Sequence, residues 1–413
     1  RIEKFEKDVK AWQYFDKKKL LEKAVEADEY RKSGKPLGSL HGLPIAVKDI
    51  IGTFEMPTEC GSPLRKKMPS SQDSEIVNLL KIEGAIVMGK TVTTELAYFH
   101  PGKTTNPHDN TRTPGGSSSG SAAVIAAHMA PLSIGTQTNG SVIRPASYCG
   151  VVGYKPSYGL ISRSGVMRQS DKLDHIGVFG KTVEDVALFA KSLIKKDLYD
   201  PSTIHYAADE MLNVCKKGPI YEPKFIFYKT KNWKNIDKES QKSFDFFIKT
   251  FSKNIEVFDT PSYFDDIPKY HKIIHETDMA NNFQGYYKKS KKFLSKEMVS
   301  AIERGLKYSA KEYAEAIDFM KRSYESYKEV FEDFHGVLTP SSSGVAPKGL
   351  KSTGSPEFST IWTYMGLPSI SLPLLIGANN LPLGIQLVGD KLDDLRFLGV
   401  ANWLEKNCKK YAK

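Results

Sequence analysis

The stretch from Gly115 to Ser147, GGSSSGSAAVIAAHMAPLSIGTQTNGSVIRPAS, constrains this chain more than any other. It carries two polar knots framed by glycine, Gly115-Gly116-Ser117-Ser118-Ser119-Gly120 and Gly135-Thr136-Gln137-Thr138-Asn139-Gly140-Ser141. Between them Ala122 to Met129 is a run of small apolar residues, which predicts a tightly packed helix. Glycine lets a backbone turn sharply and bring N–H groups close to a ligand. Hydroxyls beside such turns are suited to nucleophilic chemistry. Taken alone, the stretch also fits two serine-rich loops flanking a core helix.

A length of 413 residues accommodates one large α/β domain or a few smaller ones, and 40% hydrophobic residues suffice for a core. No apolar run approaches the roughly 20 residues of a membrane span. The opening is charged from Arg1 onward, so no secretory signal is visible. Cys60, Cys149, Cys215 and Cys408 are scattered without CxxC spacing. That favours a reducing, cytoplasmic setting over a disulfide framework or a zinc site. The net charge of +11 raises nucleic acid as a partner. The lysines, however, are spread through amphipathic segments such as Lys288 to Lys292, and no arginine-rich or aromatic-interleaved motif accompanies them. A solvated lysine surface is the expectation.

Along the chain, Ile2 to Ser33 has helical periodicity and Leu43 to Asp49 is a short β-rich run. Ser74 to Gly84 predicts an amphipathic helix and Ala85 to Met88 a buried strand. Helix, strand and glycine turns alternate to about residue 195, as in an open α/β sheet. Val183 to Ile194 predicts a helix capped by Thr182. Residues 196–334 differ: lysine- and aromatic-rich, glycine-poor and helical in pattern, with a strand at Lys224 to Tyr228. They predict a helical cap or insertion within one domain spanning 1–413. Strands follow at Gly336 to Thr339, Ser369 to Leu375 and Leu383 to Val388, and a helix at Leu392 to Asn407.

Two motifs mislead. Gly84 to Thr91 matches the phosphate-loop pattern GxxxxGK[ST], but its interior, Ala85-Ile86-Val87-Met88, wants to be a buried strand. Gly116 to Gly120 satisfies GxSxG, yet the nucleophile elbow needs a strand before it, and Asp109 to Pro114 is a turn-former. His271 and His275 stand at i and i+4 without a third ligand, and are expected at the surface or its boundary. Lys48 is more informative. It ends an apolar strand, so it must reach solvent or sit desolvated, and desolvation lowers a lysine's pKa until it can serve as a base. Beside two serine knots it completes a Ser/Ser/Lys set that needs no histidine.

Together these residues resemble the amidase signature family. The likeness runs through Leu40 to Asp49, Gly115 to Ala123, Gly135 to Pro145 and Gly150 to Gly159, and more weakly Leu381 to Gly389. The resemblance implies a single large α/β domain with a central mixed sheet. It makes Ser141 the nucleophile, Ser117 a bridging serine after a cis peptide at Gly116–Ser117, and Lys48 the base. The N–H groups of Thr138, Asn139, Gly140 and Ser141 would form the oxyanion hole. Gly116, Tyr98, His175 and Trp362 are expected to bind substrate, with specificity drawn from Glu95 to His100, Met167 to His175 and Gly354 to Trp362. No metal or cofactor is called for. The expected partners are a small-molecule amide and a second copy of the chain in a homodimer, without membrane or nucleic acid.

Three departures from the family's commonest pattern are visible. Gln137 stands where aspartate is usual, Asn139 where glycine is usual, and Arg144 lies one step later than the usual arginine. Gln137 and the chain's shortness favour a free-standing amidase. The alternatives are the A subunit of a glutamine-dependent tRNA amidotransferase, which shares the fold and triad, and a homologue that binds an amide without cleaving it.

Overall fold

The computed structural model describes residues 1–408. Its organising element is one mixed sheet of eleven strands, in the order β1-β3-β2-β4-β6-β5-β10-β11-β9-β7-β8. The strands are β1 (Trp12–Phe15), β2 (Pro44–Lys48), β3 (Ile86–Thr91), β4 (Leu132–Gln137), β5 (Val152–Lys155), β6 (His175–Gly180), β7 (Phe225–Tyr228), β8 (Ile255–Phe258), β9 (Val337–Pro340), β10 (Ser369–Gly377) and β11 (Leu381–Val388). Helices pack against the sheet, and the α/β architecture implied by the resemblance is observed.

β2 lies between β3 and β4 and runs parallel to both. The register Val47↔Ile134 therefore brings Lys48 level with the carboxyl end of β4. In parallel sheets those carboxyl ends are where ligand sites are built. Ile86 to Met88 is buried strand, as expected, with Ala85 buried just before it, and β3 continues through Thr91, so this segment is no phosphate loop.

The small-residue run forms the helix Ser119–Ala126, buried from Ser119 to Ile125. Its side chains must be small because the backbone lies so close to its neighbours. A Cβ on Gly120 would fall 2.5 Å from Val92 N, and Ser121 Oγ reaches Ile134 O at 2.9 Å.

Two expectations are corrected. Ile2 to Ser33 is not one helical stretch, because Lys10 ends the helix Ile2–Val9 in a left-handed conformation. The Glu6 carboxylate then accepts from the N–H groups of Ala11 and Trp12, leading into β1. Asp16 caps the next helix, Lys17–Lys32. Gly89 admits this edge strand, since a Cβ there would stand 2.5 Å from Tyr14 O.

The segment 196–334 is largely helical but is not simply laid over the body. β7 and β8 continue the same sheet beyond β9, with Ile226 opposite Val337. The run Phe225 to Tyr228 is buried throughout, and an apolar strand of that kind is stable with a partner on each side.

Candidate active site

Lys48, Ser117 and Thr136 meet where β2, the loop before the helix Ser119–Ala126, and the end of β4 converge. Lys48 is fully buried, with Nζ 2.6 Å from Ser117 Oγ and 2.8 Å from Thr136 Oγ1. Burial drives its pKa well below 10.5, and the negative charge of Asp174 opposes that shift. A neutral amine so placed can donate to Thr136 and offer its lone pair to the Ser117 hydroxyl. The Gly116–Ser117 peptide bond is cis, as the resemblance implies.

Ser118 ties the two knots together, donating to Thr136 O at 3.1 Å while its Oγ accepts from Thr136 N at 3.2 Å. Gly135 makes this approach possible, because a Cβ there would lie 2.6 Å from Ser118 Oγ. The Ser-rich knot is thus part connection and part chemistry.

The loop after β4 is held through its carbonyls. His271 Nε2 bonds to Thr138 O at 2.9 Å, Thr363 donates to Asn139 O at 2.5 Å, and Arg144 N to Gly140 O at 3.0 Å. Thr360 donates to the Asn139 side chain at 2.8 Å. The N–H groups of Thr138, Asn139, Gly140 and Ser141, in contrast, have no acceptor among the described residues. Four free donors on a loop fixed from behind suit an oxyanion. Gln137 closes the loop, its Oε1 accepting from Val142 N at 2.8 Å and Ile143 N at 3.0 Å while Nε2 donates to Thr363. A glutamine can both accept and donate here, whereas an ionised aspartate can only accept.

Ser141 is half-buried, and no hydrogen bond among the described residues joins its Oγ to Ser117 Oγ. It opens on a narrow cleft shared with Tyr98, Phe99, Asn139, Gly140, Arg144 and Pro356. Tyr98 therefore lines the same cleft as Ser141. Gly116 is buried, and its carbonyl accepts from Arg144 Nη2 at 2.6 Å. His175 is on the other side of the loop, lining a second small cavity with Thr136, Arg163 and Asp174.

Trp362 is not at the site. It is 1% exposed among Tyr228, Phe264 and Tyr327 in the core. Its helix, Thr360–Met365, faces Asn139 with Thr360 and Thr363 instead.

His271 and His275 are a second correction, being buried rather than at the surface. The helix Ile267–Asn282 turns this face inward onto the site. Burial pushes their pKa values down, to about 4 and about 3, so both rings are neutral props. His275 bonds to Gln169 Oε1 at 3.1 Å and stacks edge-on with Tyr98. The i, i+4 spacing that suggested metal is what lets both rings reach one surface.

Asp174 falls in the Met167 to His175 stretch expected to supply specificity, though it was not singled out. It accepts from Thr138 Oγ1 at 2.6 Å and from the N–H groups of Gln169 and Ser170, and burial raises its pKa to about 6.

The Amidase family model matches residues 1–398 of the chain. The chain belongs to the amidase family. Among curated relatives, the A subunit of glutamyl-tRNA(Gln) amidotransferase from Fusobacterium nucleatum is 33% identical, over 98% of this chain and 91% of that protein. Its counterpart from Alkaliphilus metalliredigens is 31% identical over the same shares. Among solved structures, the Thermotoga maritima counterpart is 28% identical with a TM-score of 0.81, covering 98% of this chain and 89% of that one. A crystal structure described as an amidase is 25% identical with a TM-score of 0.84, covering 98% and 93%. The sheet and the two-knot site of this amidase are thus set within a family whose curated relatives include many tRNA-amidotransferase subunits.

Proposed function

We propose that this amidase hydrolyses a carboxamide through an acyl-enzyme on Ser141. Neutral Lys48 accepts the Ser117 proton as Ser117 accepts that of Ser141, and Ser141 Oγ adds to the amide carbonyl. The N–H groups of residues 138–141 stabilise the oxyanion that forms, each donor contributing about 2.7–4 kcal/mol. Collapse expels the amine, which takes the proton back along the relay. Water then attacks the acyl ester by the same route, releasing the acid and restoring Ser141. The observation that carries this reading is the buried Lys48 amine 2.6 Å from Ser117 Oγ. In the structure the Ser117–Ser141 step is not closed by a hydrogen bond, and such contacts tighten when substrate seats.

The names of the relatives favour glutamine as the amide and a multisubunit tRNA amidotransferase as the setting, with this chain in the place of their A subunit. On that ground the amidotransferase setting is preferred to the free-standing small-molecule amidase expected from the sequence. Gln137 is what still favours the free-standing enzyme.

Ammonia release from glutamine and from simple aliphatic amides, by the chain alone and after co-purification with any bound partner, separates the two. Glutaminase activity that needs the partner supports the amidotransferase setting; full turnover of simple amides by the lone chain supports the free enzyme. Ser141→Ala should abolish both activities while leaving the fold intact. Retained hydrolysis, or failure of a serine-directed fluorophosphonate to label Ser141, would sink the acyl-enzyme and favour a non-catalytic binder.

A further inference from the structure

A cavity of about 540 Å³ lies between the helix Ala310–Glu325, the end of the helix Thr360–Met365 and the turn after β11 at Lys391 and Leu392. It shares no lining residue with the cleft that holds Ser141, and its volume is in the range of small-molecule sites. Ile317, Met320 and Met365 supply apolar lining, and unbranched methionines adapt to the shape of what they touch. Three tyrosines add their rings, because their hydroxyls are committed elsewhere. Tyr364 donates to Ala316 O at 2.6 Å, Tyr324 to Asp390 Oδ1 at 3.0 Å, and Tyr158 to Asp171 O. Leu392 lines the cavity while 40% exposed, at φ 67°, a region leucine rarely enters. Its N–H donates to Ser157 Oγ at 2.8 Å, which holds it there.

The charges around this apolar lining are unequal. Lys172, Lys321 and Lys391 face the cavity against one carboxylate, Glu325, which Lys328 Nζ already engages at 2.6 Å. None of the three amines has a hydrogen bond or ion pair among the described residues. Lys172 and Lys321 are exposed, where water serves such groups. Lys391 is part-buried, with Nζ 5.3 Å from the centre of the Tyr324 ring and 3.7 Å from where a Cβ on Gly366 would stand. The Asp390 carboxylate accepts from the Tyr324 hydroxyl and from the Lys391 backbone N–H at 2.7 Å, not from the amine. Burial lowers the pKa of Lys391, while the charge of Glu325 opposes that shift. A ring face attracts the ammonium but offers its three N–H donors no lone pair.

We propose that this cavity is a second ligand site, apart from the Ser141 cleft, that takes an amphipathic organic anion. The apolar body lies against Ile317, Met320, Met365 and the tyrosine rings, and the acidic group accepts from Lys391 Nζ. Both parts are needed. A neutral molecule of the same shape leaves the amine without an acceptor, and a small inorganic anion leaves the apolar lining bare. The site does not depend on the hydrolysis proposed for Ser141.

The test uses 8-anilinonaphthalene-1-sulfonate and N-phenyl-1-naphthylamine, which share one aromatic body and differ in the sulfonate. Each is titrated by fluorescence into the protein as purified, with any bound partner. The sulfonate should saturate a single site roughly 10-fold more tightly than the neutral amine. Lys391→Met should bring that ratio toward unity by weakening the sulfonate, with the neutral probe little changed. Met320→Trp, which fills the cavity, should weaken both probes by roughly 10-fold or more. Laurate should displace the sulfonate at concentrations at least roughly 100-fold below acetate, which carries the charge without the body. A wild-type ratio near unity overturns the proposal, as does a ratio unchanged in Lys391→Met. Sulfonate binding unaffected by Met320→Trp also overturns it, since the probe then sits elsewhere on the surface. If Lys391→Met does not fold, the wild-type ratio and Met320→Trp decide.

Discussion

Replacing Lys48 with methionine tests the site most directly. Methionine keeps an unbranched side chain in a position closed to solvent and removes only the amine. The amine is the sole base within hydrogen-bond reach of Ser117 Oγ among the described residues. A positioned general base contributes roughly 10²- to 10⁴-fold, so kcat on any amide substrate should fall by at least roughly 100-fold.

Stability should respond differently. Ser117 Oγ and Thr136 Oγ1 each lose a partner, at about 1 kcal/mol apiece. The opposing effect is that folding strips the proton from Lys48, whose pKa burial depresses well below 10.5. Below 10.5 the unfolded chain holds a proton that the folded chain does not. Wild-type stability therefore rises with pH up to that value, levels off above it, and falls no further once the pH is below the folded pKa. Lys48→Met lacks this dependence and should gain on the wild type as pH drops through that window. The assay pairs ammonia release with urea unfolding over the same pH series. Activity within about threefold of wild type, or an unchanged acidic limb on the wild-type pattern, would refute Lys48 as the base.

Other outcomes follow from neighbouring contacts. Asp174→Asn removes the charge that opposes the burial-driven shift of Lys48, so the acidic limb of the pH–rate profile should move to lower pH; an upward move would contradict it. Gly140→Ala would press a methyl to 2.9 Å from Pro356 Cβ and displace the oxyanion loop, lowering kcat by roughly 10-fold or more at nearly unchanged Tm. Gln137→Glu keeps an acceptor for Val142 and Ile143 but loses the donor to Thr363 and buries a charge, so urea unfolding should show a loss of about 1–3 kcal/mol.

Much of the site was legible because it depends on local chemistry. The glycines at 115, 116, 135 and 140, the hydroxyls between them and the small residues of 122–129 can be read in order, since each answers a short-range need for a turn, a donor or close packing. Lys48 was legible only beside the two serine knots, since a lysine ending an apolar strand can equally reach solvent. The edge strand β1 was not, because Trp12 to Phe15 pairs only through the room that Gly89 leaves, far away in the chain. Trp362 was misplaced for a related reason: a tryptophan near a glycine turn fits a pocket or a core equally well until its neighbours are known.

The sequence by itself offered Lys48, the two serine knots and the small-residue helix between them, because those follow from side-chain chemistry and backbone freedom at each position; their expected roles came from the family resemblance. Only the tertiary structure decided what surrounds them. Parallel pairing of β2 with β4 brings Lys48 to Thr136, 88 residues away, and the fold carries the helix Ile267–Asn282 onto the site so that His271 braces the loop after β4. It also leaves Arg144 buried without a counterion among the described residues, beside Ser141. Burial and the absence of a partner belong to the packed chain, since they depend on which distant residues fill the space around a side chain.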